Sequence, residues 1–332
     1  MKKLLTISVS TLAGLAFSAA AMAADINPAV LYDLGGKFDK SFNEAAFTGA
    51  EKFKADTGIG YRDFEIQNDA QREQALRNFA KRGQSPIIAI GFSQANAVEK
   101  VAKEFPDIQF AIVDSVIDLP NVRSIVFKEH EGSYIVGVAA ALASKTGKVG
   151  FVGGMDIGLI RKFACGYKQG VMSVKSDAEV FENMTGDTGA AWNDPVKGGE
   201  LAKSQFDKGA DVVYHAAGGT GIGVLQAAHD AGKLGIGVDS NQNGLFPGSV
   251  LTSMLKRVDV AVAKTFEDAK NDAWSSGVQV LGLAEGGVDW ALDDNNASLV
   301  NADMKAAVEK AKADIISGTV VVHDYMADNT CP

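Results

Sequence analysis

The stretch Ala29-Val-Leu-Tyr-Asp-Leu-Gly-Gly-Lys-Phe-Asp-Lys-Ser-Phe-Asn43 sets a short apolar run, a carboxylate, two glycines and a helix start in direct succession. In an open parallel sheet this order builds a ligand crevice, because strand carboxyl ends gather polar side chains and the next helix start offers amide donors. A phosphate-binding turn would leave its amides bare. Here Asp33 adds negative charge and Phe42 a flat apolar face, which suits a neutral, partly aromatic ligand and points to binding.

Outward from this stretch, the apolar runs 29–32, 86–90, 109–113, 148–152, 211–214 and 235–238 read as strands. They alternate with stretches of helical spacing at 42–55, 70–81, 96–104, 133–143, 159–174, 196–208, 223–231 and 258–273, and a last helix falls at 304–316 ahead of the run 319–323. Such alternation predicts an α/β fold with doubly wound parallel sheets covered by helices on both faces. A second strand ending in glycines, Val149-Gly-Phe-Val-Gly-Gly154, suggests a turn that echoes the first and hence two similarly wound lobes. No Pro- or Ser-rich linker separates the halves, so ordered crossings are expected near 127–132 and near Lys256.

The first residues give a basic start, an apolar segment from Leu4 to Ala20 and the small-residue pattern Ala21-Met-Ala23, which reads as a cleavable secretory signal over 1–23. The apolar part is shorter than the roughly 20 residues that span a bilayer. Neither Cys165 nor Cys331 lies near the cleavage pattern, so a lipid-modified amino-terminal cysteine is not expected, and the mature chain should be free in an exported compartment, which the family resemblance given below makes a periplasm. Losing 1–23 removes two lysines and takes the formal charge from −9 to −11, with 30 basic against 41 acidic residues. Nucleic acid is a poor partner for that surface. The two cysteines can form one bridge between the terminal segment and the helix carrying Cys165; the spacing leaves open whether they meet.

Three aspartates each close an apolar run: Asp33, Asp114 after Ala111-Ile-Val and Asp239 after Gly237-Val. Helix capping explains any one of them. Together they fit a crevice better, since parallel strands deliver their carboxyl ends to one edge. Trp192 sits in the polar loop Ala191-Trp-Asn-Asp-Pro195, where a large ring suggests a ligand or an interface. Lys256 ends Val250-Leu-Thr-Ser-Met-Leu-Lys256 at a lobe crossing, placed to pair with an acidic neighbour such as Asp239 and to donate to a hydroxyl. The glycine-rich Ala216-Ala-Gly-Gly-Thr-Gly-Ile-Gly223 fails the dinucleotide spacing, because Val224 stands where the last small residue belongs. No cofactor is expected. His130, His215, His229 and His323 lack metal-ligand spacing and no nucleophile elbow occurs, so neither a metal nor a catalytic residue is assigned. One enzymatic alternative remains, Asp114 and Asp239 acting as acid and base on a glycosidic bond.

Six ordered motifs over essentially the whole mature chain resemble the basic membrane protein family of substrate-binding components of ABC importers. They are Asp33-x-Gly-x-x-x-Asp39-Lys-Ser-Phe-Asn43, Gly147-Lys-Val-Gly-Phe-Val-Gly-Gly154, Gly209-Ala-Asp-Val-Val213, Ala217-Gly-Gly-Thr-Gly221, Gly237-Val-Asp-Ser240 and Val250-Leu-Thr-Ser-Met-Leu-Lys256. The resemblance implies a type I periplasmic binding protein, two lobes joined by three crossovers and closing like a hinge. The lobes would take 24–127 plus 257–285 and 128–256 plus 286–332. By the same likeness Asp33 and Asp114 read a purine base, Phe42 stacks on it, and Asp239 and Lys256 hold ribose hydroxyls. Trp192 stands where the family often has Phe, and Asn43 and Gly218 complete the candidate ligand-binding set. The implied partners are a purine nucleoside and the permease of an ABC transporter, with the receptor acting as a monomer; a sugar, a flavin or a signalling role stays open.

Overall fold

The computed structural model describes residues 26–332; the signal segment read at 1–23 lies outside them. One sheet is built from β1 (Ala29–Tyr32), β2 (Arg62–Glu65), β3 (Ile87–Ala89), β4 (Phe110–Val113), β5 (Val122–Phe127) and β11 (Gly277–Leu281). A second takes β6 (Lys148–Met155), β7 (Glu179–Gly186), β8 (Val212–Ala216), β9 (Leu234–Asp239), β10 (Val250–Lys256) and β12 (Val288–Trp290). Strand order is β11-β5-β4-β3-β1-β2 in the first and β12-β10-β9-β8-β6-β7 in the second, all parallel except for antiparallel β12 on β10. Each sheet reverses direction once, between β1 and β3 and between β6 and β8. Those two switch points are where a doubly wound sheet opens a crevice at its carboxyl edge.

Helices α1 (Phe42–Thr57), α2 (Gln71–Lys81), α3 (Ala95–Glu104) and α8 (Val258–Lys270) cover the first sheet. The second is covered by α4 (Glu129–Ala143), α5 (Gly158–Val174), α6 (Pro195–Asp207), α7 (Thr220–Asp230) and α9 (Ala302–Ile316). Both sheets are apolar on both faces in their central strands, as β1, β3, β4 and β8 are buried along their whole length. At Gly49, α1 lies so close to α8 that a side-chain carbon would fall 2.1 Å from the Asp259 carbonyl oxygen. The chain enters the second sheet after β5, comes back after β10 and leaves again after β11.

The structure departs from the sequence reading in two places. Gly153-Gly154 is not a turn but the end of β6, where the missing side chains make room for Met184 and for the Trp192 ring. Strands β2 and β7 escaped the apolar-run reading because they are edge strands: β2 is Arg62-Asp-Phe-Glu65, mostly exposed, with solvent on one flank. The run 319–323 follows α9 as irregular chain.

The cysteines do meet. Cys165 of α5 is bonded to Cys331 with their Cα atoms 5.6 Å apart, across 166 residues of sequence. One turn along α5, Gln169 accepts from the His323 amide at 2.8 Å and donates to the His323 carbonyl at 3.0 Å, so the terminal segment is pinned twice. Closing so long a loop restricts the unfolded chain, and Cys165→Ser should therefore cost about 2–4 kcal/mol of stability. Urea unfolding checks this: wild type in reductant should fall to the midpoint of the variant, and an unchanged midpoint would count against it.

Candidate functional site

A cavity opens between the lobes, and all eight candidate residues, Asp33, Phe42, Asn43, Asp114, Trp192, Gly218, Asp239 and Lys256, line it. The topology explains the convergence. Asp33 follows β1, Asp114 follows β4, Asp239 ends β9 and Lys256 ends β10, all at carboxyl edges facing the gap. Asp114 and Asp239 have φ of 68° and 63°, a left-handed backbone that costs on the order of 1–3 kcal/mol in a residue with a side chain and that gathers at ligand sites.

Lys256 is the electrostatic centre. Its ammonium is buried, 2.7 Å from the Asp114 carboxylate and 3.0 Å from Glu129 Oε1. The rings of Phe42 and Phe127 each lie 5.1 Å away. Glu129, the first residue of α4, also meets Lys162 at 3.0 Å, and Lys162 lies 3.4 Å from Asp324 in the terminal segment. Alternating charges thus run from the cavity through the crossing between lobes to the far side of α5. Burial pulls the Lys256 pKa down, but Asp114, Glu129 and Asp239 together outweigh it and hold the ammonium above the ordinary lysine value. Burial likewise favours the neutral Glu129, yet Lys256 and Lys162 win and keep it below the usual carboxylate range. For Asp114 the burial prevails over Lys256 and the pKa is raised. The expected Lys256–Asp239 pair is therefore replaced by contacts to Asp114 and Glu129. Sequence reading missed Glu129 because Lys128-Glu129-His130-Glu131 looks like a solvated turn; its position at a crossing was the available signal.

Asp239 instead accepts from Ser41 Oγ of the other lobe. Beside this bond, Ser240 Oγ donates to the Ser41 carbonyl at 2.8 Å and Gln242 Nε2 to the Lys40 carbonyl at 2.9 Å. Buried His215 meets Gln242 Oε1 at 2.9 Å and has its pKa lowered to about 4 by burial. These bonds latch the 40–41 turn of one lobe onto the 239–242 turn of its neighbour. Burial pushes Asp239 up to about 7, against the pull of Lys256 and Ser41.

Also lining the cavity, Asp33 accepts at Oδ1 from Arg72 Nη1 at 2.5 Å and from the Leu34 amide at 2.8 Å, and Ser93 Oγ donates to Oδ2. Asn43 ties the loop together, accepting from the Asp33 amide at 3.0 Å and donating to Asp39 at 3.1 Å. Asp39 in turn takes the amides of Ser41, Asn43 and Glu44, so it caps α1 in place of Ser41. Phe42 and Trp192 are both half-buried at the cavity, one from each lobe. The Trp192 indole fits only because Gly154 lacks a side chain, whose first carbon would lie 2.1 Å from Cζ3. A ring from each lobe, carboxylate acceptors and one cation make a lining suited to a flat ligand carrying hydroxyl and N–H donors. Among the described residues no group of three or more His, Cys, Asp or Glu side chains is placed to hold a metal ion, and no helix is long and apolar enough to cross a membrane.

Comparison with known proteins agrees over nearly the whole chain. Residues 26–324 match a family model described as ABC transporter substrate-binding protein, PnrA-like. The ABC transporter nucleoside-binding protein BmpA of Lactococcus lactis is 36% identical, with 90% of this chain and 89% of that protein covered. An uncharacterized lipoprotein of Pyrococcus furiosus is 34% identical over 81% of this chain and 71% of its own length. Among solved structures, a solute-binding protein of an ABC transporter system from Aeropyrum pernix superposes with a TM-score of 0.81 at 29% identity, covering 90% of this chain and 94% of that one.

The raised Asp239 pKa has a signed consequence for stability. Between the ordinary aspartate value of 3.8 and about 7 the folded state holds a proton that the unfolded chain has released. The contribution is thus complete below the lower value and is lost as pH rises through the upper one. Asp239→Asn cannot titrate, so wild-type stability measured against it should decline between pH 4 and pH 7 by on the order of a few kcal/mol. Urea titrations at stepped pH test this; profiles that run parallel through that window would refute it.

Proposed function

We propose, from the premise that this chain belongs to the PnrA-like family of ABC transporter substrate-binding proteins, that it captures a purine nucleoside between its lobes and delivers it to a membrane permease. The observation carrying this reading is that a ring from each lobe and a set of carboxylates share one cavity. Phe42 and Trp192 sandwich the base, Asp33 and Asp114 accept from its N–H groups, and Asp239 with Lys256 binds the ribose hydroxyls. Asn43 holds the Asp33 loop in place, and Gly218 supplies a left-handed turn, φ 56°, beside Trp192. The acidic lining repels phosphate, so nucleosides enter and nucleotides do not. The lobes, 24–127 plus 257–285 and 128–256 plus 286–332, close about the three crossings, and the closed shape is what the permease recognises. The receptor works as a periplasmic monomer without cofactor.

A hydrolase reading has one observation in its favour, the Asp239 carboxyl raised to about 7, the kind of group that can donate a proton to a leaving base. Receptor and hydrolase part in one experiment: prolonged incubation with nucleosides should leave them intact, and release of free base would establish the enzyme.

Calorimetry with adenosine, guanosine, inosine and ribose tests the receptor reading. At least one nucleoside should bind tightly and ribose far more weakly; equal affinity for ribose would reject it. Trp192→Ala should weaken nucleoside binding about 10- to 100-fold, the worth of one stacked base, while leaving ribose unaffected.

A further inference from the structure

We propose that the terminal segment 323–331 positions the charges of the ligand cavity and that the Cys165–Cys331 bridge keeps it in place; the inference rests on the nucleoside reading above and adds to it residues that never touch the ligand. Helix α5 has two working faces. Leu159, Ile160 and Phe163 line the cavity, while Lys162, Cys165 and Gln169, spaced three and four residues apart, share the face that meets the terminal segment. Each of these three takes hold of it: Gln169 bonds the His323 backbone in both directions, Cys165 is joined to Cys331, and Lys162 lies 3.4 Å from Asp324 Oδ2. Residues 326–330 are exposed and bury little of their own to hold the segment down.

Asp324 has two tasks. Its Oδ1 accepts from the Met326 amide at 2.9 Å, which leaves Oδ2 to face Lys162. His130 Nδ1 lies 3.9 Å from that same oxygen, but burial and Lys162 hold its pKa below the ordinary histidine value, so Lys162 is the countercharge. Lys162 is buried and also meets the Phe127 carbonyl at 2.8 Å and Glu129 Oε2 at 3.0 Å, while Glu129 Oε1 meets Lys256 at 3.0 Å. Glu129 is thereby shared between two cations, each of which has a second carboxylate, Asp324 for one and Asp114 for the other. Ions so far from water respond to any charge removed from the row. Without Asp324, Lys162 closes on Glu129, Glu129 gives less to Lys256, and Lys256 turns more fully to Asp114. An Asp114 carboxylate engaged in this way has less to offer a ligand N–H, and binding weakens. Asp324 and Lys162 are thus positioning residues that act on the ligand through Glu129 and Lys256.

Calorimetry on the whole mature protein with guanosine, inosine and adenosine provides the test. Dithiothreitol opens the bridge by exchange, leaving two thiols on the protein and a disulfide on the reagent. Binding of the tightest nucleoside should then weaken about 3- to 10-fold, as expected for a charge lost from a coupled set. Asp324→Asn keeps an oxygen to cap residues 325–327 and removes only the charge. It should weaken binding to the same extent with the bridge intact, and reduction should then add nothing. A bridge that is only a staple would lower the urea midpoint on reduction and leave affinity unchanged; that result, or wild-type affinity in Asp324→Asn, would overturn the proposal and leave the nucleoside receptor intact. If none of the three nucleosides binds, the nucleoside reading falls and the ligand-free protein decides the rest. There Asp324→Asn should speed amide hydrogen exchange across 127–131 and 253–257 relative to β1, and unchanged exchange would overturn the positioning role as well.

Discussion

A buried ammonium held among carboxylates at the place where the chain passes between lobes is the constraint on which the rest of this structure depends. Lys256 closes the last parallel strand of the second sheet, yet its nearest partner, Asp114, belongs to the first. Withdrawing such charges from water costs several kcal/mol per ion, and only a completed set of opposite charges offsets that. Glu129, Lys162 and Asp324 supply the completion. The network permits one arrangement of the crossing, because any slip would strand a charge in an apolar interior built from Phe42, Phe127 and Phe163.

From this follows the division of labour within the cavity. Its charged groups join the lobes and line the cavity together with a ring from each lobe. The turn-to-turn bonds at Ser41, Ser240 and Gln242 join the lobes beside the cavity. Excluding water strengthens each of these contacts through the lower local dielectric. The arrangement is that of a clamp. Two sheets with the same strand order bring their switch points face to face, and the family to which the chain belongs uses this architecture to bind solutes for ABC transporters.

Much of this was legible in the residues. Asp33, Asp114 and Asp239 stood out because each interrupts an apolar run, and a strand end in a parallel sheet has one destination. The doubly wound fold could be read for the same reason, as central strands buried on both faces leave continuous apolar stretches. What escaped notice had no such local mark. Edge strand β2 is Arg62-Asp-Phe-Glu65, polar since water flanks it. The glycines at 153–154 looked like a turn, whereas their purpose is to admit an indole from a loop some forty residues on. Arg72 lies in an ordinary charged helix, and nothing near it in sequence hints that its partner is Asp33, on the opposite side of a strand and a helix.

The sequence by itself determined the α/β class, the alternating order of elements, the strand-end carboxylates and the resemblance to a solute-binding family, because periodicity and punctuation act over a few residues at a time. Only the tertiary structure decided which charges neutralise one another, that Cys165 reaches Cys331, and that Trp192 shares a cavity with Phe42. Those pairings join residues tens to hundreds of positions apart, and what selects them is desolvation: a charge or ring finds its partner when the packing of two lobes removes water from around it.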